Sequence, residues 1–225
     1  MTAVEWEAGD DPLLMLGALP PPGDRKLRLF SIAVFRRWHL RELRLQAVPL
    51  FSEVLAVAYD LAEGKGEESR LRRTEEALAT LASTLRGSET EYAGYVASLQ
   101  VLRDPLLVGG TPQILRVWQV HWAVRDMATV DERRQEEARH QAALLREVFG
   151  NPFRPVAFDP AWRTGTALIL ARQMYESREF SAAPILADAL QDGGCESEEL
   201  LNHLRSPDAT HVRGCWAVDL VLGKT

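Results

Sequence analysis

Two short motifs frame the part of the chain that decides the fold: Gly150-Asn-Pro-Phe-Arg-Pro-Val156 and Gly214-Cys-Trp-Ala-Val-Asp-Leu-Val-Leu-Gly223. Between them, apolar residues recur every three or four positions, the spacing of one buried helix face. This spacing predicts helices over about 164–177, 181–192, 197–205 and 211–222. Their expected inward residues are Ile169, Leu170 and Met174; Ile185, Leu186 and Leu190; Leu200, Leu201 and Leu204; and Val212, Trp216, Leu220 and Val221. We therefore expect a four-helix C-terminal subdomain.

The residues upstream carry the same helical spacing. Thr2 with Glu5 fits a capping box, and Asp11-Pro12 fits the start of a second short helix. Further helices are predicted over about 24–45, 49–63, 67–86 and 88–103, and over a long tract that opens at Thr111-Pro112, breaks near Val130 and ends at Phe149. The prediction is an all-α, irregular multi-helix bundle of about ten helices. Residues 1–149 form a helical body and residues 150–225 a subdomain packed on it, as two units or as one domain.

Composition restricts the class of protein. The chain has 225 residues, of which 46% are hydrophobic and 26% charged, values typical of a globular protein. Its formal charge of −6 disfavours nucleic-acid binding by the whole surface. No apolar run reaches the roughly 18 residues that a transmembrane helix needs. The acidic start of the chain lacks a signal-peptide layout, and two cysteines do not make a disulfide framework. A cytoplasmic protein is expected.

The predicted helix 24–45 is strongly basic, with seven arginine or lysine residues against two acidic ones. Its apolar residues Leu27, Phe30, Val34 and Trp38 predict one buried face. The basic residues suggest either a phosphate-contacting surface or a solvated helix that pairs with acidic neighbours such as Glu67, Glu68, Glu75 and Glu76. The second interpretation is favoured because no loop supplies another basic patch.

One group of residues suggests metal chemistry. Cys195, His203, His211 and Cys215 are thiolate and imidazole donors, which tetrahedral zinc prefers. His211 and Cys215 are four positions apart, so on the predicted helix 211–222 they would share a face. A zinc ion bound by all four residues would staple two helices that are too short to persist alone.

Two alternatives to zinc remain open from the sequence. In one, both cysteines are small buried residues and the histidines hydrogen-bond locally, because free cysteine is among the most buried residue types. In the other, Cys215 or Cys195 is a nucleophile with His211 as its base and Asp219 or Asp188 orienting the imidazole. The sequence contains no phosphate-binding glycine loop, no serine nucleophile elbow and no HExxH motif.

Several motifs resemble those of a large paralogous family of planctomycete-type bacterial proteins that has no known activity. They are Asp24-Arg-Lys-Leu-Arg-Leu-Phe30 with Arg36-Arg37-Trp38, Phe149-Gly-Asn-Pro-Phe-Arg-Pro155, Pro184-Ile-Leu-Ala-Asp-Ala-Leu190 and His211-Val-Arg-Gly-Cys-Trp216. The resemblance implies a bacterial protein but no function, and residues 46–148 lie largely outside it. Ser31–Phe35 lacks the cysteine pair of the family pattern, and Leu204 replaces a cysteine that often follows the histidine.

These observations favour a non-enzymatic interaction or adaptor module that binds another protein. The alternative is a small zinc-stabilised or cysteine-dependent enzyme centred on Cys195, His203, His211 and Cys215. Nucleic-acid binding through helix 24–45 ranks third. The expected cofactor is none or zinc. No membrane partner is expected, and the oligomeric state is left open.

Overall fold

The structure is a computed structural model that describes residues 1–20, 24–41, 49–84, 107–108, 111–112, 130–207 and 209–224. These ranges contain ten α-helices: α1 (Ala3–Ala8), α2 (Pro12–Ala18), α3 (Asp24–Arg41), α4 (Pro49–Ala62), α5 (Glu68–Thr84), α6 (Val130–Phe149), α7 (Gly165–Ser177), α8 (Ala183–Asp192), α9 (Glu198–Arg205) and α10 (Trp216–Leu222). The prediction of an all-α, multi-helix fold is confirmed. Within the described ranges, no helix is both long enough and apolar enough to cross a membrane.

The chain divides into two compact units. Unit 1 comprises Met1–Asp10 and Ala142–Thr225, and unit 2 comprises Asp11–Gln141. The division differs from the predicted boundary between residues 149 and 150. The first ten residues and the last turns of α6 belong with the C-terminal helices, because Trp6 and Asn151 make buried contacts across a long sequence separation.

In unit 2, α3 is buried on more than the single face that its spacing predicts. Leu29, Phe30, Ser31, Ile32, Ala33, Val34 and Phe35 form a continuous buried run. Two of its arginines pair with glutamates: Arg25 Nε lies 3.3 Å from Glu63 Oε1, and Arg37 Nε lies 3.2 Å from Glu137 Oε2. The side chains of Arg41 and Arg44 lie outside the described residues. Over residues 29–35, about two turns, α3 is therefore buried on all sides, and its partly buried basic residues lie on either side of this run.

The predicted long helix from Thr111-Pro112 is wrong at its start. Thr111–Pro112 instead pairs antiparallel with Leu107–Val108 as two-residue strands β2 and β1. A Gly-Gly pair between two short segments is a hairpin signal in sequence, and here it outweighs the helix-start signal of Thr-Pro. Helix α6 begins at Val130, where a break was expected. The predicted helix 88–103 falls outside the described residues.

The core of unit 1 is built by α7 to α10. The predicted helices 164–177, 181–192 and 197–205 agree with α7, α8 and α9 to within two residues. Two predicted inward residues are wrong, because Ile169 is 67% exposed and Ile185 is 58% exposed. Half of the buried positions on α7 and α8 are alanines, which let helix backbones approach closely: Ala167, Ala171, Ala183 and Ala187.

The last helix begins later than predicted. Helix α10 starts at Trp216 instead of at residue 211, and Cys215 is its N-cap residue. Residues 211–214 form a turn because Gly214 has a φ of +102°, a backbone conformation that favours glycine. His211 and Cys215 therefore do not share a helix face. The predicted reason for their proximity was wrong.

The connector after α6 packs on the core of unit 1, as its apolar residues predict. Val156, Phe158 and Trp162 are partly buried against the core. The rings of Phe158 and Trp162 meet edge to face at 5.2 Å. Arg163, which ends the connector's short 3-10 turn, donates to the carbonyl oxygens of Leu220 and Val221 at 3.0 and 3.1 Å. It thereby satisfies acceptors at the C-terminal end of α10.

Candidate metal centre

Four polar side chains of unit 1 converge at one point: Glu147, His203, His211 and Cys215. Glu147 projects from the last turns of α6 and His203 from α9, whereas His211 lies in the turn before Cys215. One donor atom from each residue lies within 4.8 Å of the others. The side chains of Glu147 and His211 are 5% and 7% exposed, and Cys215 is fully buried. Such a set of buried donors is unusual unless it binds something or is fully hydrogen-bonded.

The carboxylate of Glu147 is at the middle of the group. His211 Nδ1 lies 3.2 Å from Glu147 Oε1, and His203 Nε2 lies 3.3 Å from Glu147 Oε2. The backbone N–H of Val212 donates to Oε1 at 3.2 Å. The Sγ atom of Cys215 is 3.3 Å from His203 Nε2 and 3.9 Å from His211 Nδ1. The carboxylate therefore joins both histidines, and the thiol closes the group.

Several of these separations are close to those between the ligands of a tetrahedral zinc ion. Zinc binds nitrogen and oxygen at about 2.0–2.2 Å and thiolate sulfur at about 2.3 Å, so neighbouring ligand atoms lie about 3.3–3.6 Å apart. The four distances given above run from 3.2 to 3.9 Å, and two of them are measured to different oxygens of Glu147. One donor atom from each residue lies within 4.8 Å of all the others, so a bound zinc ion would draw the wider pairs together.

Electrostatics favour a cation at this point. Burial alone raises the pKa of Glu147, but hydrogen bonds from His203 and His211 outweigh burial and hold the pKa below its usual value. Burial raises the pKa of the Cys215 thiol well above its usual value, and the charge of Glu147 raises it further. Without a cation, the thiol is neutral beside an ionised carboxylate. A divalent ion with a thiolate, a carboxylate and two neutral imidazoles would carry no net charge, which suits a buried site.

Helix packing directs each donor inward. On α9, Leu200, Leu201 and Leu204 are buried and carry His203 to the same side of the helix. On α6, Glu147 is buried, and the buried Leu144 lies three positions before it, so the carboxylate shares a face with an apolar side chain. The backbone amides at the start of α10 favour the ionised form of Cys215.

Aromatic rings enclose the two imidazoles. The His203 ring lies 5.1 Å from that of His211 and 5.0 Å from that of Trp216, measured between centroids. Phe180 lies 6.0 Å from His211. Apolar rings next to charged groups lower the local dielectric, which strengthens the electrostatic interactions among them.

A cation–π contact holds the turn that carries His211 and Cys215. The guanidinium of Arg213 lies 4.5 Å from the centroid of the Tyr175 ring, and Lys224 Nζ lies 4.7 Å from the same ring. Asp188, which the sequence suggested as an orienting residue, instead accepts from Arg205 at 2.6 Å on the exposed surface. The contact between Arg213 and Tyr175 therefore links the turn to α7.

Three of the four predicted ligands meet, and the fourth does not. Cys195 is buried after α8, where its backbone N–H donates to the Leu190 carbonyl at 2.9 Å, and burial raises the pKa of its thiol. Among the described residues, Cys195 is not part of the group, and Glu147 takes the fourth place. The sequence signal for Glu147 is a lone carboxylate on the apolar stripe of Ala142-Ala-Leu-Leu-Arg-Glu-Val-Phe149.

The same geometry bears on the cysteine-nucleophile hypothesis. A catalytic thiol needs a lowered pKa and access for its substrate. Cys215 is fully buried and its pKa is raised, first by burial and then by Glu147. This environment is the opposite of one that activates a nucleophile.

Comparison with known proteins identifies no relative of this chain. The chain matches no protein-family model, no curated protein and no solved structure. The resemblance to the planctomycete family stays a prediction. The class of site is defined by its own donors: a buried Glu-His-His-Cys group that suits a metal ion.

Proposed function

We propose that unit 1 is a non-enzymatic zinc-binding module in which Glu147, His203, His211 and Cys215 hold one structural ion. The observation that carries the proposal is the convergence of four donor atoms within 4.8 Å of one another. Glu147 and Cys215 are buried, and the side chain of His203 is 18% exposed. The sequence suggested a zinc site of Cys195, His203, His211 and Cys215. The site proposed here has Glu147 in place of Cys195.

The donor set favours zinc among common metals. Thiolate and imidazole suit zinc, whereas magnesium and calcium prefer an all-oxygen shell. Four protein donors would fill the tetrahedral shell of a zinc ion, which is typical of structural zinc sites. Catalytic sites usually keep one position for water or substrate. A closed, buried set therefore supports a structural role.

An ion at this point would fasten three separate pieces of the chain. These are the end of α6, helix α9 and the start of α10. Helices α9 and α10 have 8 and 7 residues and are too short to persist alone in water. Because an unfolded chain does not preform such a site, the free energy of metal binding becomes free energy of folding.

Elemental analysis of the purified protein tests this proposal. We expect about one zinc per chain, one ion being the capacity of a four-ligand tetrahedral site. Cys215→Ser should lose the zinc, whereas Cys195→Ser, which removes the other buried thiol, should keep it. Protein that binds no zinc after exposure to a zinc buffer, and whose Tm is the same with zinc and with a chelator, contradicts the proposal.

A protein-interaction role is the second candidate. It is supported by Ile169 and Ile185, large aliphatic side chains that are 67% and 58% exposed in unit 1. Contiguous exposed apolar patches mark partner contacts, whereas single exposed apolar residues are ordinary, so this role requires the two side chains to form one patch. Cross-linking in cells with wild-type protein and with an Ile169→Lys, Ile185→Lys double variant tests it. Loss of a specific cross-linked protein in the variant supports the role, and identical cross-links count against it.

A further inference from the structure

We infer that helix α1 sets the zinc affinity of the metal centre by holding the end of α6 and thereby positioning Glu147. We call α1 in this role the strap. The inference rests on the proposed zinc site. It concerns residues outside the ligand group, because none of the first ten residues supplies a donor. In this account Trp6 is a positioning residue.

The strap is anchored at the end of α6 by a buried tryptophan. Trp6 is fully buried, and its Nε1–H donates to the carbonyl oxygen of Gly150 at 2.8 Å. In return, Arg146 Nε donates to the Trp6 carbonyl at 3.0 Å, and the same guanidinium donates to the Gly9 carbonyl. Arg146 lies one residue before Glu147, and Gly150 lies three residues after it.

A second anchor follows immediately along the chain. Asn151 is buried, and its Nδ2 donates to the Ala3 carbonyl at 3.2 Å and to Glu7 Oε1 at 2.8 Å. The ring of Phe153 meets the Trp6 ring edge to face at 6.0 Å. Helix α1 therefore bonds to both sides of the last turn of α6, the turn that carries Glu147.

The same contacts continue toward the other ligands. Gly150, the acceptor for Trp6, packs against Trp216 so closely that an added methyl carbon would lie 3.1 Å from that ring. Trp216 directly follows Cys215, and its ring is 5.0 Å from His203. A shift of Gly150 would thus move the surroundings of two more ligands.

The physical consequence follows from helix ends. The last turn of a helix lacks partners for its carbonyl groups and frays unless something holds it. Here Trp6 donates to the Gly150 carbonyl, and the side chains of Arg146 and Asn151 donate to acceptors in residues 3–9. These bonds tie the end of α6 to α1, a helix of six residues that cannot persist by itself. Losing the strap loosens Glu147 while leaving all four donors in the chain. Removing outer partners of metal ligands typically lowers metal affinity by about 10–100-fold.

Zinc competition titrations on the full chain test the inference. We compare wild type with Trp6→Ala, and use Val4→Ala as the matched control, because Val4 lies on the same helix and is 77% exposed. Trp6→Phe keeps an aromatic ring but loses the N–H donor, and it serves if Trp6→Ala does not fold. We expect weaker zinc binding for Trp6→Ala, with a loss of up to the ~10–100-fold typical of groups that bond a metal ligand directly, because Trp6 acts on Glu147 through Gly150 and Arg146. A smaller loss is expected for Trp6→Phe, and none for Val4→Ala.

Two readouts separate positioning from general stability. If α1 only stabilises the fold, Trp6→Ala lowers the Tm equally with and without zinc, and the zinc Kd of the folded protein stays unchanged. That result overturns the inference. If α1 positions Glu147, the zinc-induced rise in Tm shrinks, and the absorption spectrum of the cobalt-substituted protein changes. Wild-type protein that binds no zinc is a failure of the proposed function, and it is recognised before any variant is compared.

Discussion

His203 Nε2 lies 3.3 Å from Cys215 Sγ, although the two residues are 12 positions apart in the chain. The imidazole comes from α9 and the thiol from the residue that caps α10. The Cys215 thiol and the Glu147 carboxyl group, which are both negative when ionised, thus lie beside the imidazoles of His203 and His211. The proposed zinc ion would lie between these four groups.

Replacing the central carboxylate should abolish zinc binding. Glu147→Gln keeps the shape of the side chain but removes the charge that a divalent ion needs. We expect zinc affinity to fall by more than about 100-fold, since losing a ligand costs more than the ~10–100-fold loss typical of an outer partner. Glu132→Gln, on the exposed part of the same helix, is the control. Equal zinc Kd values for the two variants would exclude Glu147 as a ligand.

Zinc binding should release a proton from the thiol. Burial, followed by the charge of Glu147, raises the pKa of Cys215 well above its usual value, so the metal-free thiol is protonated at pH 8. Zinc binds the thiolate, so we expect about one proton released from the thiol per ion, and each proton released makes binding roughly tenfold weaker for each unit of pH decrease. Calorimetry in buffers of different ionisation enthalpy measures the proton count. Zinc binding with no proton released would show that Cys215 is not a ligand.

Metal-free protein should lose stability in acid through Glu147. Burial raises the pKa of this carboxyl, but hydrogen bonds from His203 and His211 lower it further than burial raises it, and the net pKa is below the usual value. A lowered folded-state pKa contributes stability above the unfolded pKa of about 4.3, and this stability is lost as the pH falls through the folded-state pKa. In chelator, the difference in unfolding free energy between wild type and Glu147→Gln should be constant above about pH 5 and shrink below about pH 4. A difference that grows on acidification reverses the sign and refutes the assignment.

A methyl group at Gly150 should disturb the fold and the site together. Gly150 has a φ of +64°, and an added Cβ would lie 3.1 Å from the Trp216 ring. Gly223 has a φ of +66°, but its nearest neighbour, Arg163, would lie 3.6 Å away. Gly223→Ala should cost about 1–2 kcal/mol from the left-handed backbone alone. Gly150→Ala should cost about 1–3 kcal/mol more because the ring is crowded, and it should also weaken zinc binding. Denaturant unfolding of both variants checks the order, and equal losses would contradict it.

Local signals in the sequence predicted much of unit 1. Helices α7 and α9 begin after Thr164 and Ser197, whose side chains cap the helix amides. Caps and apolar spacing depend on residues a few positions apart, so they can be recognised without knowing the fold. The same local signals predicted the pair of short helices at the start of the chain, and Thr2 forms the expected capping box with Glu5.

The site was only partly predictable because its fourth ligand comes from far away. Glu147 is 64 positions from His211, and no spacing rule joins a carboxylate on one helix to a turn that distant. Cys195 was grouped with the histidines by residue type, whereas its backbone ties it to the end of α8 through Leu190. The membership of Met1–Asp10 in unit 1 depends in the same way on long-range bonds from Trp6 and Arg146.

The buried face of a helix was also harder to predict than its existence. Ile169 and Ile185 lie at apolar positions of their helical patterns, yet both are exposed, while nearby alanines fill the core. Close approach of helices favours small residues, so the larger side chain of a stripe is not always the inward one. His211 and Cys215 were correctly paired, but a turn at Gly214 brings them together instead of a shared helix.

The most direct test of the account is anomalous X-ray scattering at the zinc edge from crystals of the full chain grown with zinc. We predict a single anomalous peak in unit 1, at about 2.0–2.3 Å from one donor atom each of Glu147, His203, His211 and Cys215. Zinc-saturated crystals that show no peak there, with the four side chains still hydrogen-bonded to one another, would contradict the central claim.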